Sequence, residues 1–216
     1  MTARNLFQTL LLGSILLFVS SSLCAQVAFD LGNYHITPPD NMCKLRWGRK
    51  KAIAALGQPF NGLYYLMAQF KEIPDAHAQQ RMAEAGLRLG DYIAQNTYFV
   101  TLRQEGLKKS LKEKNLISLF PIQWEWKVAA PLLSENVPEF ARRGTSIGIS
   151  VVYHEYFSTT WVTARLKELG FEQELHIAGK PFCNFELWVS PEQLKILAQE
   201  PWVKMIGMVS PPAVLY

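Results

Sequence analysis

The chain has 216 residues and a mass of 24.6 kDa; 49% of it is hydrophobic and 19% charged, enough for one ordinary core or two small ones and too apolar for a disordered tail. Lys and Arg outnumber Asp and Glu by 22 to 18, and a net charge of +4 is too small to argue for nucleic acid. Three cysteines exclude a disulfide-dense mini-protein and a four-cysteine zinc cage, and four histidines without HxH or HExxH spacing leave little material for a catalytic metal.

Residues 1–25 read as a secretory signal peptide. Arg4 gives a positive start, Leu6 to Val19 is a mostly apolar run, and Ser20, Ser21 and Ser22 end it. The run is short for a membrane span, and cleavage is expected near Cys24 or Ala25. Leu23 is too large, directly before Cys24, for a lipoprotein site. The mature chain then starts near Gln26 with net charge +3, secreted or periplasmic and without a stable membrane anchor. Cys43 and Cys183 remain in an oxidising compartment, where a bridge between them and two free thiols both stay open.

Residues 26–60 form an N-terminal extension. Its cluster Lys44, Arg46, Arg49, Lys50 and Lys51 has two readings, a site for an anionic partner or a solvated, protease-sensitive run, and the second is the commoner case.

A first unit is expected over 61–128. Leu63–Phe70 is an apolar, aromatic strand. Pro74 and Asp75 open a helix with Ala78, Met82 and Ala85 on one face, closed by Gly86. Strands follow at 87–93 and 97–102 around a turn at 94–96, then a short charged helix at 107–114 and a strand at 116–123. Trp124, Glu125 and Trp126 read as packing at this unit's edge, with a sugar-stacking pair as the functional alternative.

The same order returns about 84 residues later. A linker at 129–145 leads to a second unit at 146–212. It has a strand at 147–153, a helix capped by Ser158 or Thr159 with Val162, Leu166 and Leu169 inward, and Gly170 as its stop. Strands at 171–177 and 182–189 flank a turn, a helix starts at Ser190, Pro191 and Glu192, and the last strand covers 203–209. Gly86 and Gly170 stand 84 apart, and Leu107 and Leu194 stand 87 apart. The fold class expected is α+β: two tandem ferredoxin-like βαββαβ units, each a four-stranded antiparallel sheet with two helices on one face.

No catalytic constellation emerges, and the residues argue against an enzyme. Gly144-Thr145-Ser146-Ile147-Gly148 matches GxSxG, yet a linker precedes the serine and a strand follows it, where a nucleophile elbow needs a strand and then a helix. His154 and Glu155 end a strand with no second ligand spaced to join them, and His176 alternates outward. No cofactor or metal is implied. The third strands NTYFVTL and FCNFELWV lack the RNP1 pattern, so RNA binding is set aside.

The stretch Gly62-Leu63-Tyr64-Tyr65-Leu66, Gln69-Phe70, Ala85-Gly86 and Leu89 to Tyr98 (LGDYIAQNTY) resembles the N-terminal pro-region of secreted bacterial subtilisin-like serine proteases. Trp126-Lys127 and the second βαββαβ unit extend the resemblance over about 61–212. The chain stops at Tyr216 with no Asp-His-Ser catalytic domain behind it, so the resemblance implies a free-standing propeptide-like protein or a fragment. It implies a subtilisin-like serine protease as partner, which a propeptide of that family helps to fold and then inhibits, with one sheet face docked on it and a C-terminal tail in the substrate cleft.

The residues supply both parts. Ser210, Pro211 and Pro212 extend the chain, and the tail 213–216, Ala213, Val214, Leu215 and Tyr216, would enter a cleft by strand addition with Tyr216 at P1; a frayed terminus is the equal alternative. Alternation turns Cys183, Phe185, Leu187 and Val189 inward, and Glu172, Glu174, Phe182, Glu186 and Trp188 to an open face. The resemblance implies that this face docks on the protease, with Trp188 and Phe182 as its aromatic anchors; an ordinary polar sheet face is the alternative. A structural or interaction module without protease contact, or a truncated relic of a longer protease, is the competing reading.

Overall fold

The computed structural model describes residues 26–134, 136–171 and 177–211. The fold is α+β with antiparallel sheets. The segment expected as a signal peptide lies outside the described residues, as do Glu172, Glu174 and His176 and the tail Ala213 to Tyr216. No helix among the described residues is long and apolar enough to cross a membrane.

The chain opens with a small hairpin, β1 (Phe29–Leu31) and β2 (Tyr34–Ile36), and two short helices, α1 (Met42–Arg46) and α2 (Lys50–Ala54). The first large sheet follows from β3 (Leu63–Phe70), α3 (Ala76–Glu84), β4 (Leu87–Tyr92), β5 (Thr97–Arg103), the single turn α4 (Leu107–Ser110) and β6 (Leu116–Pro121). Its order is β4-β5-β3-β6, antiparallel throughout. The Asp75 carboxylate caps α3 by accepting from the Ala78 amide at 2.7 Å. Gly86 ends the helix at φ +99°, where a Cβ would also press to 3.2 Å from Arg103 and Gly106.

β3 is buried on both faces. Tyr64, Leu66, Ala68 and Phe70 meet Met82 of α3 and Leu107 of α4 in one core. Met67 faces the other way and packs with Phe29, Ile36 and Phe120 under the β1–β2 hairpin. Gln69, fully buried, ties that hairpin down: its Nε2 donates to the Val27 carbonyl at 2.7 Å and its Oε1 accepts from the Val27 amide at 3.0 Å. Asn41 continues the seam by donating to the Leu119 carbonyl at 2.6 Å.

The extension packs on the first core beneath its solvated basic side chains. Met42, Leu45 and Leu56 join the first core, and Arg46 donates to the carbonyls of Leu111 (2.9 Å), Glu113 (2.9 Å) and Leu116 (3.1 Å). The basic side chains remain exposed, but the backbone beneath them is fixed.

A turn of 3-10 helix at Trp124–Lys127, a short α5 (Ala130–Leu133) and a second 3-10 turn at Glu139–Ala141 lead to β7 (Arg142–Arg143). Over the stretch that reads as a linker, 129–145, Leu132, Val137 and Ala141 are buried in the second core, and the Ala129 amide donates to the Ile206 carbonyl at 2.9 Å. Trp126 packs against Phe120, whereas Trp124 packs on the second core, so the Trp-Glu-Trp triplet spans both halves rather than one edge.

The second sheet is built on β8 (Ser146–Tyr153), with β9 (Asn184–Val189) on one side and β10 (Val203–Met208) on the other; β7 pairs with the start of β8. α6 (Thr159–Glu168) and α7 (Pro191–Gln199) cover one face through Val162, Leu166, Leu194 and Leu197. Ser158 caps α6, and Ser190 and Gln193 form a reciprocal capping box on α7. β3 and β8 start 83 residues apart, and β6 and β10 start 87 apart, close to the spacings read from the sequence. Of the strand expected at 171–177, residues 172–176 lie outside the described residues, and Phe171 and Ile177 are not in a strand.

Candidate functional site

Two surfaces of the second half gather polar groups: the sheet face turned away from α6 and α7, and a cleft where the two halves meet.

The open sheet face follows from register. Phe185, Leu187 and Val189 of β9 are buried at 2% exposure or less, as alternation requires, and Cys183 just before them is buried too. Across the sheet, Glu186 lies beside Ser150, which lies beside Gly207; Asn184 lies beside Val152, which lies beside Met205. Glu186 is exposed and Met205 is 51% exposed. Small neighbours on the Glu186 row leave its carboxylate room to meet a partner's backbone amides or a helix N-terminus.

Trp188 belongs to this face, but it is not bare. It lies over Gly148, where a Cβ would fall 2.9 Å from its ring, and the Arg143 guanidinium stacks on it at 3.9 Å. Phe182 is placed differently from expectation. Strand pairing of β9 begins at Asn184, because Cys183 sits at φ +47° and the alternation breaks there. Phe182, 72% exposed, projects from the turn before β9 into the mouth of the cleft. Glu186, Trp188 and Phe182 are thus in one region, with Phe182 off the sheet face.

The cleft encloses about 270 Å³ between β4 and β5 of the first sheet and the ends of β8 and β10. Tyr65, Asp91 and Thr101 line one wall, and His154, Tyr156 and Lys204 line the other. The His154 ring lies 5.0 Å from that of Tyr65, and Phe157 stacks on Tyr65 at 6.3 Å. Phe60 adds edge contacts to Phe157 and Trp161. Lys204 pairs with Asp91 across the joint. Burial, with Lys127 and Lys204 nearby, pulls the His154 imidazole down to about 4, Asp91 opposing. Burial, then Tyr156, pushes the Tyr65 phenol up to about 12, and its hydroxyl is buried with no hydrogen-bond partner. Both rings are neutral at ordinary pH.

Behind the cleft, Lys127 is buried and donates to the Glu200 carbonyl at 2.8 Å; burial pulls its ammonium down to about 8, Glu200 opposing. The Glu200 carboxylate takes a two-pronged bond from Arg165 at 2.8 and 3.1 Å and accepts from the Trp202 indole. These bonds hold the segment after β6 against α6 and β10.

Gly144 and Thr145 turn β7 into β8, which places Ser146 in a strand rather than at an elbow. Among the described residues, no group of three or more His, Cys, Asp or Glu is gathered to hold a metal. Cys43 and Cys183 are free thiols, one exposed and one buried.

Sequence reasoning missed the pairing of His154 with Tyr65, the Asp91–Lys204 bridge and the buried Lys127. One signal was present: β3 is apolar at both parities, which in an antiparallel sheet means both faces are covered.

Residues 30–128 match the model of a family described as a domain of unknown function (DUF8729). Comparison with curated proteins and with solved structures gave no match. The matched stretch ends at Val128, which is buried in the second core and bridges to Ile206 of β10.

Proposed function

We propose that this chain is a secreted, non-catalytic, prodomain-like protein of two tandem ferredoxin-like units, which binds and inhibits a subtilisin-like serine protease. The strand order β4-β5-β3-β6 with α3 and α4 on one face supports the first unit, and β9-β8-β10 with α6 and α7 repeats its corresponding part. The observation that carries the docking assignment is the contrast between the two sheets. The first sheet's second face is covered by the hairpin at Met67 and Gln69 and by the second half at Tyr65. The second sheet keeps Glu186 and Met205 exposed on its corresponding face. In this reading Glu186 and Trp188 dock on the protease, with Glu172, Glu174 and Phe182 at the margin, and Ala213 to Tyr216 enter the cleft as a product-like strand.

The test is titration of residues 26–216 against a subtilisin-type protease with a chromogenic peptide, beside a version ending at Pro212 and a Glu186→Arg variant. Competitive inhibition is expected, weakened about tenfold or more by each change, the scale of one lost contact of about 1.4 kcal/mol. Folded protein that leaves the protease fully active, or inhibition untouched by both changes, sinks the proposal.

A further inference from the structure

The chain's net charge of +4 conceals a strong separation. Segments 44–51 and 108–114 together hold nine of the 22 Lys and Arg residues and one of the 18 acids, Glu113. They carry +8, and the remainder of the chain carries −4. The fold brings the two segments together: Arg46 of α1 reaches the carbonyls of Leu111 and Glu113 just after α4. Between them lies a groove of about 780 Å³. Its floor is apolar, from Leu45, Ile53, Leu107 and Leu111, and Lys108, Lys112 and Lys114 stand on its rim. Trp47 stands beside it with 74% of its surface exposed, its ring 5.3 Å below the Arg49 guanidinium.

We propose that this face docks on an anionic membrane surface. Charge complementarity selects an anionic partner, since cations near such a surface each favour binding about fivefold. The apolar groove and the projecting indole select a bilayer over a soluble polyanion. Stable peripheral binding needs an apolar contact as well as a basic patch, and Trp partitions to the headgroup level. A solvated polyanion gives an exposed Trp ringed by cations nothing to bury. This surface lies on the first half and is separate from the sheet face assigned to the protease, so the two proposals stand independently.

The experiment is co-sedimentation of the full chain with vesicles of phosphatidylcholine alone, and with an equal mixture of phosphatidylcholine and phosphatidylglycerol. The apolar run near the N-terminus is present in every sample and acts on both vesicle types, so the difference between them isolates the patch. The variants are Lys108→Gln with Lys112→Gln, and Trp47→Ala; all three side chains are exposed, so the fold survives. The chain should prefer the anionic vesicles, losing about thirtyfold in partition with both lysines neutralised. Trp47→Ala should lose about tenfold, and brominated phosphatidylglycerol should quench emission in the native chain but not in Trp47→Phe. Equal partition into both vesicle types overturns the proposal. So does binding that ignores Trp47→Ala and transfers undiminished to dextran sulfate, which would assign the patch to a soluble polyanion.

Discussion

Acid should loosen the joint between the two halves through His154. Its imidazole is held against Tyr65 and faces Lys127 and Lys204, with Asp91 opposing, and its folded pKa is about 4 against an ordinary 6.5. The unfolded chain therefore binds the extra proton first. Stability from this group is complete above pH 6.5, falls as pH drops from 6.5 toward 4, and falls no further below. A span of 2.5 pH units corresponds to about 3 kcal/mol, an upper figure because the ring is only partly buried. In His154→Phe the ring still packs on Tyr65 but cannot titrate. The measurement is urea unfolding of both proteins above pH 6.5 and near pH 4. The native chain should lose about 2–3 kcal/mol more than the variant over that interval. Carboxylates titrate in both proteins and cancel in the difference. Equal acid losses would refute the assignment of this sensitivity to His154.

Two further changes probe the covering layer and the open face. Gln69→Leu keeps the volume but leaves the Val27 amide and carbonyl without their partner, so it should cost about 2 kcal/mol and speed hydrogen exchange at Val27 and across β1–β2, with the α3 amides unaffected. Gly148→Ala puts a methyl 2.8 Å from Val209 and 2.9 Å from the Trp188 ring; it should cost about 1–3 kcal/mol in denaturant titration and lift Trp188 from beneath Arg143, seen as a shift of the indole NMR signal.

Local chemistry was the legible part. Asp75, Ser158 and Ser190 cap their helices, and Gly86 and Gly170 end two of them at φ +99° and +83°, because caps and left-handed stops depend on a few adjacent residues. Inward alternation along β9 was legible for the same reason. Segments that fold against distant partners were not. Residues 26–60 and 129–145 are short of regular periodicity; the first is held by single side chains such as Gln69 and Arg46, whose partners lie about 40 to 70 residues away, and the second by Leu132, Val137 and Ala141 in the second core and the Ala129 amide on Ile206. Outward placement of Glu186 was readable from the same alternation, whereas Phe182 lies in a turn off the strand, since a left-handed Cys183 leaves no mark in a pattern of hydrophobicity. The joint cleft was invisible because its walls come from both halves.

That joint also sets an order of events during synthesis. Phe60 and Tyr65 emerge from the ribosome about 90 residues before His154, Phe157 and Trp161, the rings that cover them. The first sheet can be complete, with its hairpin in place, while this aromatic patch is still bare. At ordinary translation rates of about 5–20 residues per second the exposure lasts several seconds, a window in which bare apolar surface is prone to wrong contacts.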